Sequence, residues 1–132
     1  MCKKMEQTGL VLCCITAQNS CAAILEKGKE MAMRLGCDVK AVSVQPIKQD
    51  AERRSSDMKI LDALSKQSGI EISIIYSDNP LLALAEYAEK NLPIHIFTGK
   101  QADKSSFVMK LAEICKLPVS MVSGETVFTL TN

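Results

Sequence analysis

The segment from Gly99 to Ser106 has the residue types and spacing of an anion-binding loop. Gly99 allows a ligand to approach the backbone closely, and Lys100 and Lys104 supply positive charge. Ser105 and Ser106 lead into an expected helix, whose free amide groups and dipole favour negative charge. The segment therefore predicts contact with a phosphate or a nucleotide. An ordinary exposed loop that ends in a serine helix cap explains the same residues equally well.

Two cysteines have neighbours that point to thiol chemistry. Cys21 is expected in the first turn of a helix, where a thiol has a lowered pKa, so a reactive thiol is predicted there. Cys14 ends an apolar strand shortly before Ser20, as does the nucleophile of phosphocysteine enzymes of the phosphotransferase IIB type. This enzyme is the alternative function, although the loop from Thr16 to Ser20 has no glycine or arginine to hold a phosphate.

The sequence gives no indication of other catalytic sites or of a metal site. The single histidine, His95, lies in an apolar stretch, and no Ser-His-Asp set can be assembled around it. The six cysteines include no C-x-x-C pair with zinc spacing. We therefore predict no catalytic residue and no metal site.

Length and composition indicate one domain with a normal core. The chain has 132 residues, 47% of them hydrophobic, and its 16 basic and 15 acidic side chains leave a net charge of +1. A nucleic-acid surface is not expected from this balance. The longest apolar runs are shorter than the roughly 18 to 20 residues of a membrane span, and residues 1–8 are too polar for a secretory signal. A cytoplasmic protein with reduced cysteines, and with no membrane or nucleic-acid partner, is predicted.

The candidate sites depend on an alternation of strands and helices. Gly9 to Ile15 is an almost unbroken apolar run, typical of a central strand, whereas Ile70 to Ile75 alternates apolar and polar residues, typical of an edge strand. The other strands are predicted at Asp38 to Val44, Ile94 to Phe97 and Pro118 to Val122. Four helices lie between them, at about 20–35, 58–68, 80–91 and 105–115, and the polar segment 47–56 is predicted to be a surface crossover.

These elements predict an α/β fold with a doubly wound, five-stranded parallel sheet in the order 3-2-1-4-5 and helices on both faces. Ligands bind such sheets where the strand order reverses, here between strands 1 and 4. The domain is expected over residues 9–123, after a polar lead-in of residues 1–8. The tail, 124–132, has strand character from Thr126 to Thr131, and it either extends the sheet or pairs with another subunit.

Several segments together resemble a universal stress protein domain, in particular the one within the potassium-sensing histidine kinase KdpD. The segments are Val11 to Thr16, Met33 to Cys37, Val39 to Val44, and Ser77-Asp78 with Leu84 to Ala88. The resemblance implies an adenine nucleotide alpha hydrolase-like fold, a homodimer, a signalling role in stress responses and, in some members, bound ATP or AMP. Some KdpD domains bind cyclic di-AMP through a Phe-Thr stretch, which Phe97-Thr98 matches.

The chain also departs from the ATP-binding members of that family. Those members carry an aspartate where this chain has Thr16, and a G-x2-G-x9-G-[S/T] motif in which Ala102 replaces the second glycine. The ATP-binding motif is therefore degenerate. With the resemblance and the expected switch point combined, we predict a non-catalytic binding module. Its nucleotide contacts are predicted at Thr16, Ala17, Val44, Gln45, Thr98, Gly99, Lys100, Ser105 and Ser106.

Overall fold

A computed structural model describes residues 9–99 and 105–130 of the chain, with side chains for 9–99 and 107–130. The strands are β1 (Leu10–Cys14), β2 (Asp38–Gln45), β3 (Ile72–Tyr76), β4 (His95–Gly99), β5 (Val119–Ser123) and β6 (Thr126–Leu130). The helices are α1 (Ala22–Leu35), α2 (Ala51–Ser68), α3 (Pro80–Asn91) and α4 (Ser105–Cys115), and a 3-10 turn, Asn19–Cys21, precedes α1.

The strands form one six-stranded sheet in the order β3-β2-β1-β4-β5-β6. The five strands β1 to β5 are parallel, and β6 pairs antiparallel with β5. The predicted order, with strand 1 in the centre and strand 3 at an edge, is confirmed. The C-terminal segment extends the sheet of its own chain, which was one of the two alternatives for the tail.

The alternation of side chains along β1 divides the core into two layers. Val11 and Cys13 face α1 and α2 in one hydrophobic cluster, whereas Leu12 and Cys14 face α3 and α4 in the other. All five residues of β1 are buried. An uninterrupted apolar strand is required here because each face is covered by helices.

Helix α2 begins at Ala51, within the segment that was predicted to be an irregular crossover. Asp50 caps the helix, since its Oδ1 accepts a hydrogen bond from the Arg53 backbone N–H at 2.7 Å. The first turns of α2 are mostly exposed, so they lack the apolar stripe by which a helix is recognised in a sequence. The crossover prediction was wrong for this reason.

The start of α1 also differs from the predicted bounds, in which the helix begins at about residue 20. Asn19–Cys21 forms a 3-10 turn instead, and Cys21, at the N-cap position of α1, makes no side-chain cap hydrogen bond. The Sγ atom of Cys21 accepts a hydrogen bond from the backbone N–H of Thr16 at 3.4 Å. The turn and the loop that precedes it are therefore joined through this thiol.

A buried polar chain connects the last three strands. His95 Nε2 lies 2.7 Å from Ser120 Oγ, and Ser120 Oγ lies 2.7 Å from Thr129 Oγ1. Ser120 is 1% exposed and His95 is 9% exposed, and the His95 ring stacks near that of Phe97 with centroids 4.9 Å apart. Desolvation lowers the pKa of His95, so the ring is neutral in the folded protein at neutral pH.

The stability of the fold is expected to decrease as the pH falls from 7 to 5. The unfolded chain binds a proton at His95 near its ordinary pKa, whereas the folded chain, with its lowered pKa, resists protonation over the same range. Urea unfolding at several pH values measures the effect. A His95→Gln variant keeps a hydrogen-bonding group beside Ser120 but does not titrate, so its stability should change less between pH 7 and 5. Equal pH dependence in the two proteins contradicts the prediction.

Candidate functional site

A cleft opens at the carboxyl ends of the strands, where β1 and β4 lead to helices on opposite faces of the sheet. Three adjoining depressions of about 400, 550 and 500 Å³ make up this cleft. Thr16, two residues beyond the end of β1, lines each of them. We call the whole the Thr16 cleft. Its position is the one predicted from the strand order.

The depression of about 400 Å³, the apolar compartment, lies on the α3 and α4 side of the sheet. Its walls come from β1, β2 and β4 and from the two helices, and they include Cys14, Val42, Val44, Leu81, Leu84, Thr98 and Phe107. Thr98 and Thr16 contribute hydroxyl groups. The Asn79 amide oxygen, also at this wall, is already engaged with the Leu82 backbone N–H at 3.2 Å. Such a lining suits a flat, largely apolar ring with polar atoms at its edge.

The depression of about 550 Å³, the polar compartment, lies between the end of β2 and the first turns of α2. It contains the predicted residues Ala17 and Gln45 together with Lys48, Gln49, Asp50, Arg53 and Asp57. The residues from α2 and the turn before it were not predicted, because segment 47–56 was interpreted as a crossover.

Within the polar compartment the orientation of Gln49 is fixed by a carboxylate. Its Nε2 donates to Asp57 Oδ2 at 2.8 Å, which leaves Gln49 Oε1 as a buried acceptor with no partner among the described residues. Arg53 Nε lies 3.8 Å from the same Asp57 oxygen. Gln45 Nε2 donates to Ser43 Oγ at 2.8 Å. The compartment therefore combines amide groups with both positive and negative charge, a lining that suits a polar ligand.

The depression of about 500 Å³ lies on the α1 side and is lined by Ser20, Cys21, Ile24, Gly99, Ser123 and Gly124, among others. A Cβ atom at Gly99 would lie 3.2 Å from Ile24 Cδ1, so the glycine permits close packing between β4 and α1. The predicted contact Lys100 lies outside the described residues. Ser105 and Ser106 begin α4, as expected, but their side chains lie outside the described part of the chain.

Six of the predicted contacts thus lie around one cleft: Thr16, Ala17, Val44, Gln45, Thr98 and Gly99. Cys21 also lines it but is only 4% exposed. Its Sγ contacts both the backbone N–H and the hydroxyl of Thr16, the latter at 3.6 Å. The reactivity of this thiol stays a prediction.

The surroundings of Cys14 disfavour a nucleophilic role. Cys14 is 7% exposed, and burial, with smaller effects from Cys13 and Cys115, raises the pKa of its thiol. Burial also raises the pKa of Cys13, to about 12. A phosphocysteine enzyme needs a thiolate near neutral pH, whereas both of these thiols remain protonated there.

Within 9–99 and 105–130, histidine, cysteine, aspartate and glutamate residues form no group of three or more that could hold a metal ion. Over the same residues, no helix combines the length and the apolar content that crossing a membrane requires.

Comparison with known proteins identifies similar folds but no sequence relatives. No protein-family model and no curated protein sequence matches the chain. A universal stress family protein from Burkholderia pseudomallei is 14% identical, with a TM-score of 0.65 over 89% of this chain and 97% of its own. A universal stress protein in complex with cAMP is 17% identical, with a TM-score of 0.63 over 87% of this chain and 96% of its own.

A family protein from Arabidopsis thaliana with AMP bound is 14% identical, with a TM-score of 0.55 over 86% of this chain and 90% of its own. Each similarity covers most of both chains, so the shared part is the whole domain rather than a fragment. At these identities the likeness concerns the backbone arrangement alone. The chain therefore has the α/β fold of the universal stress proteins, with an additional C-terminal strand.

Proposed function

We propose that this chain is a universal-stress-type module that binds an adenine nucleotide in the Thr16 cleft and acts in stress signalling without catalysis. The observation that carries the proposal is the apolar compartment beside Thr16, which opens directly onto polar surroundings. Two proteins of the same fold are described with cAMP and AMP. The resemblance of short segments to the KdpD variant supports a place within this family.

The cleft suggests how the parts of a nucleotide are distributed. The base enters the apolar compartment between Val44 and Leu84, and the ribose lies near Thr16 and Thr98. The phosphate is then directed toward Gly99, and Lys100, Ser105 and Ser106 stay its predicted contacts, because a helix start favours negative charge. ATP, AMP and cyclic di-AMP are the candidate ligands. The degenerate glycine motif favours a ligand other than ATP bound in the usual family manner.

We also propose that the chain forms a homodimer in the cytoplasm. The outer edge of β6 carries no charged residue from Thr126 to Leu130, and four of its five residues are exposed. An uncharged strand edge allows antiparallel pairing with its own copy, since no like charges meet.

A thermal-unfolding screen tests the nucleotide proposal. We expect at least one nucleotide among ATP, AMP, cAMP and cyclic di-AMP to raise the unfolding midpoint by several degrees. A ligand that binds only the folded state stabilises that state by mass action. Inorganic phosphate and adenosine serve as fragments for comparison. Product analysis after incubation should show unchanged nucleotide, since no hydrolysis is proposed.

The site of binding is checked by a pair of variants. Val44→Phe fills the apolar compartment and should abolish the shift, whereas Met33→Phe places a phenyl ring on α1 at a side chain that is 75% exposed and outside the cleft lining, and should preserve it. A screen in which none of the nucleotides shifts the midpoint, or a shift that survives in Val44→Phe, contradicts the proposed site.

A further inference from the structure

The outer surface of helices α3 and α4 contains a groove of about 640 Å³ that is separate from the Thr16 cleft. Three large apolar side chains stand exposed along it: Leu82 is 53% exposed, Leu92 is 73% exposed and Ile114 is 54% exposed. Ala85, Pro93 and Leu117 continue the apolar lining between them. We call this surface the α3–α4 groove. Contact between water and a contiguous apolar surface is unfavourable. Exposed surfaces of this kind are therefore typical of interaction sites in soluble proteins.

Leu92 has an unfavourable backbone conformation as well as an exposed apolar side chain. It follows α3 with a φ of 50°, in the left-handed region. Helices α1 and α2 are followed by Gly36 and Gly69, with φ values of 70° and 74°, where glycine avoids steric strain. A leucine at such a position is strained relative to glycine. Its side chain is also 73% exposed, so burial does not offset this strain.

The charges of the groove identify the kind of partner. Among the residues that the structure describes, the charged ones in its lining are Glu86 and Glu89, both on α3. A second copy bound through the same surface would add two more glutamates and no basic lining residue, so the contact would gain no charge attraction. A basic partner instead gains attraction at the groove edge.

We propose that the α3–α4 groove binds a basic amphipathic helix of another protein. Leucine-type side chains at positions i, i+3 or i+4, and i+7 of that helix contact Leu82, Leu92 and Ile114, and lysine or arginine residues beside them approach Glu86 and Glu89. This function uses a surface that the nucleotide proposal does not involve.

Fluorescence anisotropy with a defined probe tests the proposal. The probe is a labelled helical peptide of leucine and lysine at amphipathic spacing, and the matched control replaces each lysine with glutamate. We expect the lysine peptide to bind and the glutamate peptide to bind at least about tenfold more weakly. Charge reversal by Glu86→Lys with Glu89→Lys should invert this preference.

Leu92→Gly separates a binding role from a structural one. It removes the exposed side chain and relieves the left-handed strain, so peptide affinity should fall about tenfold while the unfolding midpoint rises. Lys116→Gly is the matched control, because Lys116 follows α4 with a φ of 56° and is not part of the groove lining. It should raise the midpoint and leave peptide affinity unchanged.

Three results would overturn the proposal. The first is equal binding of the two peptides, and the second is unchanged affinity in Leu92→Gly. The third is a dimer in sedimentation that Leu92→Gly converts to a monomer, because the groove is then covered by a second copy of the chain.

Discussion

Replacing Gly28 with alanine is expected to lower the free energy of unfolding by about 2 kcal/mol, a typical cost of adding a methyl group to a filled core. In an exposed helix the same change raises stability by about 1 kcal/mol. The sign is reversed here because α1 lies directly on β1 at this residue. A Cβ atom at Gly28 would overlap Cys13 Sγ, with Phe97 and Val11 each 3.7 Å away on the same side.

Urea unfolding of a double-mutant set checks this prediction. Cys13→Ala removes the sulfur that the new methyl group would meet, so Gly28→Ala should cost much less in that background than in the original chain. The set isolates the contact between these two residues. An equal cost of Gly28→Ala in both backgrounds would show that the loss of stability has a different source.

Removing β6 by truncation after Ser123 is expected to lower the free energy of unfolding by about 3 to 5 kcal/mol. The strand pairs with β5 over five residue positions, and each lost hydrogen bond contributes about 1 kcal/mol. Ser120, 1% exposed, also loses its contact with Thr129. The loss is a large part of the 5 to 15 kcal/mol that is typical for a domain.

Thr129→Val is the matched control for this truncation, since it removes the hydroxyl contact but keeps the strand. Its cost should be about 1 kcal/mol. Chemical unfolding of the three proteins gives the comparison. A truncated chain as stable as the whole would mean that residues 9–123 form a self-sufficient domain and that β6 adds little to it.

The sheet could be predicted from the sequence because the burial of each strand determines its pattern of apolar and polar residues. The continuous apolar run of β1 requires cover on both faces, and the alternation from Ile70 to Ile75 indicates a strand at the edge. Once these two positions are fixed, right-handed crossovers leave few arrangements for the other strands. The location of the cleft follows from that order.

The polar compartment and the contact at Gly28 could not be predicted in the same way. The first turns of α2 are fixed by the Asp50 cap, and their exposed residues give no apolar period to detect. The sequence signal available was Asp50, a residue type preferred at helix N-caps, followed by Glu52, an acidic residue of the kind favoured in the first turn. Gly28 could be recognised as small, but its contact with Cys13 depends on how closely α1 lies on the sheet.

The position of Thr16 at the common border of the three depressions has a consequence for selectivity. A molecule that joins an apolar ring to a polar group can place the two parts in neighbouring depressions at the same time. Once one part is bound, the other is held near its own depression at an effective concentration in the millimolar range. The linked molecule then binds more tightly than either part alone, so the cleft discriminates by the connection between chemical groups as well as by their identity.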